Sequence, residues 1–144
     1  FWDDMHKGIS SIVDKNSFIE IAEQYGTGII QGFARIEGKP IGVIASNCKV
    51  LGGAIDVDAA KKLNRFMKLC DQFAIPILSL CDTPGFMVGP EHEKNGAVRY
   101  LSELFATGAN LSIDFVAVAI RKCYGLGAQA MLSGSISSPS YMLS

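Results

Sequence analysis

The chain is poor in the residues that mark many kinds of chemistry. Charged side chains make up 19% of its 144 residues, 13 basic against 14 acidic, for a formal net charge of -1. The basic residues are scattered. The densest groups, Lys61-Lys62 and Arg121-Lys122, are too small to form a stripe that tracks phosphates, so nucleic acid is not an expected partner. The two histidines, His6 and His92, stand alone, and the four cysteines, Cys48, Cys70, Cys81 and Cys123, show no C-x-x-C spacing. This pattern argues against a zinc site and reads as reduced thiols in a cytosolic-type compartment, so no metal is expected. Nor is there a convincing Ser-His-Asp or Cys-His arrangement. No apolar run is long enough to span a bilayer, and Phe1-Trp2-Asp3-Asp4 lacks both the positive charge and the apolar core of a signal peptide, so no membrane is expected either.

Apolar residues, by contrast, are plentiful at 49%, enough for one domain with a real core. Residues 5 to 25 read as two short helices. The first has Ile9, Ile12 and Val13 on one face, then comes a break at Asp14-Lys15-Asn16, and Ser17 caps the second with Glu20 three positions on. The period then changes. Residues 27 to 36 and 40 to 46 are β-rich runs joined through Glu37-Gly38-Lys39, the pattern of a hairpin with glycine in its loop. From Asp56 to Phe73, Ala59, Ala60, Leu63, Phe66, Met67 and Cys70 recur at helical spacing, with Lys61, Lys62, Arg65 and Lys68 on other faces. Residues 75 to 81 read as a buried strand, 96 to 109 as a helix, 115 to 120 as a strand and 127 to 133 as a helix start. Strand and helix alternate, which predicts an α/β fold with right-handed crossovers.

Each of the last two strands runs into a turn containing glycine. Asp82-Thr83-Pro84-Gly85-Phe86-Met87-Val88-Gly89 comes after one, and Tyr124-Gly125-Leu126-Gly127 after the other. Glycine permits a sharp turn and close backbone approach to a ligand, and a helix starting there aims unpaired N–H groups and the positive dipole end outward. Backbone donors fixed in this way stabilise negative charge developing on an oxygen. Taken alone, the second of these reads first as a plain strand-to-helix connection with no ligand. Two of them at neighbouring strand ends can point donors at one oxygen.

Four segments in this order, Leu51-Gly52-Gly53-Ala54-Ile55-Asp56, Leu69-Cys70-Asp71, Asp82 to Glu91 and Arg121 to Met131, resemble the biotin-dependent acyl-CoA carboxyltransferases, the family of the acetyl- and propionyl-CoA carboxylase beta subunits. The resemblance runs from about Ile9 to Ser135. It implies a crotonase-like ββα superhelix fold present as a single repeat, residues 1–144 being the carboxy-terminal half of a two-repeat enzyme. The amino-terminal repeat is absent on this reading, and the serine-rich stretch from Ser133 to Ser144 marks a truncated end. The implied reaction moves a carboxyl group from carboxybiotin to the α carbon of a short-chain acyl-CoA, with biotin carried on a partner domain or subunit. The implied partners are acyl-CoA, the biotin carboxyl carrier and biotin carboxylase components, and further carboxyltransferase subunits in a homo-oligomer. The implied location is the cytoplasm, or the mitochondrial matrix in a eukaryote.

Carried onto this chain, the resemblance assigns the oxyanion role to the N–H groups of Leu126 and Gly127, with Ala128 in place if the register moves by one. It assigns the neighbouring substrate and biotin contacts to Gly85, Phe86, Tyr124, Gly125 and Gln129. Phe86 and Tyr124 also read as packing residues. Arg121 and Lys122 fit either attraction of a carboxylate or CoA phosphate, or a solvated strand end. Glu91 and Glu93 precede the helix near residue 96 and read as a solvated, dipole-favoured entry. If instead they worked as an acid/base pair, a crotonase-type hydratase or isomerase would be the better description. A biotin-dependent decarboxylase and a non-catalytic fragment that docks onto subunits complete the alternatives.

Overall fold

The hairpin predicted between residues 27 and 46 is the element from which the sheet extends. In a computed structural model that describes residues 4–47, 49, 56–83, 91–123 and 141–143, it forms from β2 (Ile29–Ile36) and β3 (Lys39–Ser46). They are antiparallel, with Ile36 opposite Lys39 closing a two-residue turn. Both turn residues have positive φ, 51° at Glu37 and 79° at Gly38, the combination that matches hairpin twist. Asp14 clamps the turn: its Oδ1 accepts from Glu37 N–H at 2.9 Å and its Oδ2 from Gly38 N–H at 2.8 Å.

Helix α1 (Met5–Ile12) precedes the hairpin, capped by the Asp4 side chain, which accepts from His6 N–H. The second short helix expected before residue 25 is replaced by a strand, β1 (Ile19–Glu20), antiparallel to β2. The capping pattern is spent on tertiary contacts. Ser17 Oγ donates to Asp14 O at 2.7 Å and accepts from Arg35 N–H at 3.1 Å, while Glu20 meets His6 Nε2 at 2.7 Å. Gly32 admits the close strand, since a Cβ there would lie 2.1 Å from Ile19 O, and Ala22 turns the chain with φ of 55°.

The predicted long helix is α2 (Val57–Gln72), with Asp56 accepting from Ala59 N–H at 2.8 Å as its cap. It leads to β4 (Ile77–Thr83), which lies parallel to β3. Helix α3 (Glu91–Ala109) begins five residues earlier than its apolar spacing suggests, so Glu91 and Glu93 belong to its first turn instead of preceding it. Acidic residues suit that position because the helix N-terminus is the positive end of the dipole. Then β5 (Phe115–Cys123) runs parallel to β4 and extends three residues past the expected end. A short strand within the serine-rich stretch, β6 (Tyr141–Leu143), adds parallel to β5. The described strands form one sheet in the order β1-β2-β3-β4-β5-β6.

Alternation along these strands feeds two cores. Ile29, Ile44, Ile77, Cys81, Phe115 and Ala117 pack against α2 and Leu104 of α3. Their neighbours Ile30, Val43, Ala45 and Leu80 pack on the other face against Met5, Ile9 and Val13. Ile12, expected to share the buried face of α1, is exposed. Close approach of α2 to the sheet requires glycine at residue 42, where a Cβ would lie 2.6 Å from Cys70 Sγ and 3.2 Å from the Phe66 ring. Lys61 Nζ sits 4.4 Å above the Tyr100 ring, and Thr107 Oγ1 donates to Asn64 Oδ1, joining α2 to α3.

One residue of α2 departs from its expected place. Lys62 is buried with only 2% of its surface exposed, and its Nζ donates to Ile29 O at 2.6 Å. A lysine reaching a strand carbonyl places its charge inside the helix–sheet layer, where burial pulls its pKa below the ordinary lysine value and Glu20 and Glu23 oppose that shift.

Candidate functional site

In a parallel sheet the connections that carry function leave the carboxyl ends of the strands. Here β3, β4 and β5 end together, at Ser46, Thr83 and Cys123, but not evenly. Backbone pairing of β3 with β4 runs from Gly42↔Ile77 to Ala45↔Leu80 and goes no further. Pairing of β4 with β5 continues through Cys81↔Ala119 to Thr83↔Cys123. Between those last two pairs β4 advances two residues and β5 four, so the register shifts at the end of the sheet. Such irregularities bend a strand and re-aim the chain beyond it.

Ser46 and Asp82 lie at this edge, both fully buried. Asp82 N–H donates to Ser46 Oγ at 2.6 Å, a side-chain bond where the β3–β4 ladder has stopped. The exit of β3 is tied back to the segment before β2. Asn47 N–H donates to Gly28 O at 2.9 Å and Asn47 Nδ2 to Thr27 O at 3.2 Å. Sequence reasoning missed Ser46: a single polar residue closing an apolar run is common in strands, and nothing in its spacing distinguishes it.

The residues assigned to the site from sequence come directly after these strand ends. Gly85 and Phe86 lie two and three positions after Thr83, while Tyr124, Gly125, Leu126, Gly127, Ala128 and Gln129 continue from Cys123. All eight lie outside the described residues, as do Leu51 to Ile55 and the expected helix start at 127 to 133. The structure supplies the strand ends that directly precede these two segments. Thr83 and Cys123 are paired residues on adjacent strands, roughly 5 Å apart by the spacing of such strands.

Two described side chains that the sequence offers as reactive groups do not serve this site. Burial pushes the Cys70 thiol up to about 12, which disfavours the thiolate at neutral pH. His6 pairs with Glu20 on β1, at the opposite edge of the sheet from β6. Among the described residues, no cluster of His, Cys, Asp or Glu side chains could hold a metal ion, and no helix is long and apolar enough to cross a membrane.

This arrangement, a parallel sheet extended by an antiparallel hairpin and covered by the helices that connect its strands, is the crotonase-like fold. The family described as Carboxyl transferase domain matches residues 3–143, and the chain belongs to it. The propionyl-CoA carboxylase beta chain of Roseobacter denitrificans is 38% identical over 130 residues, covering 90% of this chain and 25% of that protein. A solved single-chain, multi-domain long-chain acyl-CoA carboxylase superposes with a TM-score of 0.90 at 44% identity, covering 97% of this chain and 15% of that one. The transcarboxylase 12S core, solved as a hexamer with methylmalonyl-CoA bound, superposes with a TM-score of 0.85 at 32% identity, covering 89% and 25%. The chain thus spans about a quarter of the length of the curated relatives it matches.

Proposed function

We propose that this chain is the carboxy-terminal part of a longer carboxyltransferase that moves a carboxyl group from carboxybiotin to the α carbon of a short-chain acyl-CoA. The observation that carries the reading is the pairing of Thr83 with Cys123, the strand residues that directly precede the two glycine-containing segments of the sequence. Family membership and the propionyl-CoA and methylmalonyl-CoA in the names of relatives support it and make propionyl-CoA the first acceptor to test.

Biotin, carried on a partner domain or subunit, supplies the carboxyl group and accepts the proton taken from the acyl-CoA. Its ureido oxygen calls for neutral donors, and backbone N–H groups of adjacent turns fit that need without burying a further charge. In this reading the amides of Leu126 and Gly127, with Ala128 as the alternative, receive that oxygen. Gly85 and Phe86 form the facing wall, and Tyr124, Gly125 and Gln129 shape the space between. The acyl-CoA occupies a surface supplied mainly by an amino-terminal repeat outside this chain, contributed by another subunit of the oligomer. Carrier and biotin carboxylase components complete the assembly, in the cytoplasm.

The test is loss of CO2 from methylmalonyl-CoA by the intact protein, with and without free biotin, beside the 144-residue chain alone. Biotin-stimulated turnover by the intact protein only is the expected result. Turnover indifferent to biotin would overturn the proposal in favour of a crotonase-type hydratase or isomerase. Adding a separately made amino-terminal half to this chain should restore activity if the chain contributes half of a shared site; failure to do so would leave it a docking segment.

A further inference from the structure

We propose that a cleft between α2 and the segment Ile21 to Tyr25 binds a small neutral alcohol or phenol, its hydroxyl held by Gln31 and Lys62. The cleft measures about 210 Å³, far more than the roughly 15 Å³ that one water needs and below the ~300 Å³ at which drug-sized sites begin. Tyr25 and Leu69, 38% and 36% exposed, line it from the solvent side, whereas Gln31 and Lys62, 4% and 2% exposed, line it from within. The place of Gln31 follows from strand alternation. Ile29 and Phe33 both pack toward α2, so Gln31 between them turns its side chain into the same layer. There its Oε1 is buried and has no hydrogen-bond partner among the described residues. Folded chains seldom leave a buried acceptor unpaired, because its desolvation is then uncompensated. The backbone of Gln31 is paired: its carbonyl accepts from Ile21 N–H at 2.9 Å, which fixes one wall of the cleft to β2.

The polar atoms select the class of ligand. Gln31 Oε1 calls for a donor. Lys62 Nζ spends one proton on Ile29 O at 2.6 Å and has the capacity to donate two more, so it calls for an acceptor. One hydroxyl answers both, since it carries a proton and two lone pairs. A carboxylate brings no proton for Oε1, and an ammonium brings no lone pair for Nζ. Charge points the same way. Lys62 and Arg65 line the cleft, and Glu20 and Glu23 lie close enough to act on Lys62, so the surroundings balance without a charged ligand. Around the polar pair the lining is apolar: Ile21, Phe66, Leu69 and the Tyr25 ring offer a ligand ring or short chain a place out of water. None of these residues takes part in the proposed carboxyl transfer, so the site goes beyond that reading and stands or falls separately.

The test is a ligand-observed NMR titration of the intact protein with 2-phenylethanol, beside phenylacetate and 2-phenylethylamine, which keep the ring and make the head an anion or a cation. Saturable binding of the alcohol at one site per chain is expected, with Kd on the order of 1 mM for so small a ligand. The two ions should bind at least about tenfold more weakly, since each leaves one polar group unpaired. Gln31→Leu nearly keeps the side-chain volume and removes the acceptor. Affinity for the alcohol should then fall about tenfold, while the melting temperature without ligand holds or rises because no polar atom is left unpaired. Leu69→Trp fills the cleft from its solvent side and should abolish the saturable phase. No saturable binding up to about 20 mM, well above the expected Kd, overturns the proposal. Binding that survives Leu69→Trp overturns it too, since the alcohol then sits elsewhere. If Gln31→Leu leaves the affinity unchanged, or if the three compounds bind equally, Oε1 is satisfied by water alone and the proposal is wrong.

Discussion

The two ends of the sheet finish their ladders differently. At the amino ends of the parallel strands the donors are consumed by the protein itself. Asp14 takes the N–H groups of Glu37 and Gly38, Pro76 O takes Gly42 N–H, Asp114 O takes Ile77 N–H, and Asp71 Oδ1 takes Ser112 N–H at 2.8 Å. At the carboxyl ends the ladder stops in steps, β3 before β4, and the last bond across that gap is made by the Ser46 side chain. One end is built to be closed. The other is built so that connections can diverge from fixed points, which is the condition for turning backbone amides toward a ligand. The same strands thus separate stability from chemistry, and substitutions at the two ends should separate in the same way.

The largest effect is expected at the open end. Gly127→Val in the intact protein should lower biotin-dependent turnover by about 10²–10³-fold, since a β-branched residue disfavours the tight turn and displaces a donor from the developing oxyanion. Chemical denaturation should show little change. Retained activity would detach the oxyanion role from this turn. The closed end should respond in reverse. Asp14→Ala removes two charge-assisted bonds to the hairpin turn and should cost about 2 kcal/mol in unfolding free energy, with turnover per folded molecule unaltered. A fall in kcat there would show that the two ends are coupled and erase the contrast.

A smaller effect tests whether the open end uses side chains at all. Glu91 and Glu93 lie in the first turn of α3. Exchanging both for Gln should change kcat by less than about threefold, whereas general acid/base work is worth on the order of 10²–10⁴. A loss in that range would point to carboxylate catalysis and to the hydratase or isomerase reading.

Much of this contrast could be read in the sequence, for identifiable reasons. The hairpin announces itself through Gly38 between two β-rich runs, although the expected loop Glu37-Gly38-Lys39 is one residue longer than the two-residue turn that forms, and α2 announces itself through Ala59, Leu63, Phe66, Met67 and Cys70 at helical spacing. Strands β4 and β5 show as short apolar runs. The second amino-terminal helix misled because Ser17 and Glu20 match a capping box, and only tertiary structure reveals that Arg35 and His6 are their partners. Ser46 and Lys62 were illegible on the same ground: each bonds a residue more than 30 positions away, and local pattern carries no trace of such a bond. Motif order marks the two glycine-containing segments, while the adjacency of the strand ends that precede them is a property of strand register and needs the sheet.

Lys62 provides the finest test, because its charge is buried on the open side. Its Nζ holds Ile29 O, and Ile29 pairs with Ser46, so the ammonium braces the first residue of β2 beside the strand end where β3 departs. Burial lowers its pKa in the folded chain, with Glu20 and Glu23 acting in the opposite direction. Below the folded pKa both states keep the proton, and the folded chain bears the full cost of desolvating the ammonium. Between the folded pKa and the ordinary value of 10.5 the unfolded chain binds more protons, so stability rises with pH. Above both values the dependence ends. Subtracting the unfolding free energies of Lys62→Met from those of the unsubstituted protein should cancel the other titrations and leave a difference that climbs as pH approaches 10.5. A flat difference would mean that water reaches the ammonium and that the open end carries no charge penalty. A falling one would mean that Glu20 and Glu23 outweigh burial, making Lys62 part of a stabilising ion cluster instead of a costly brace.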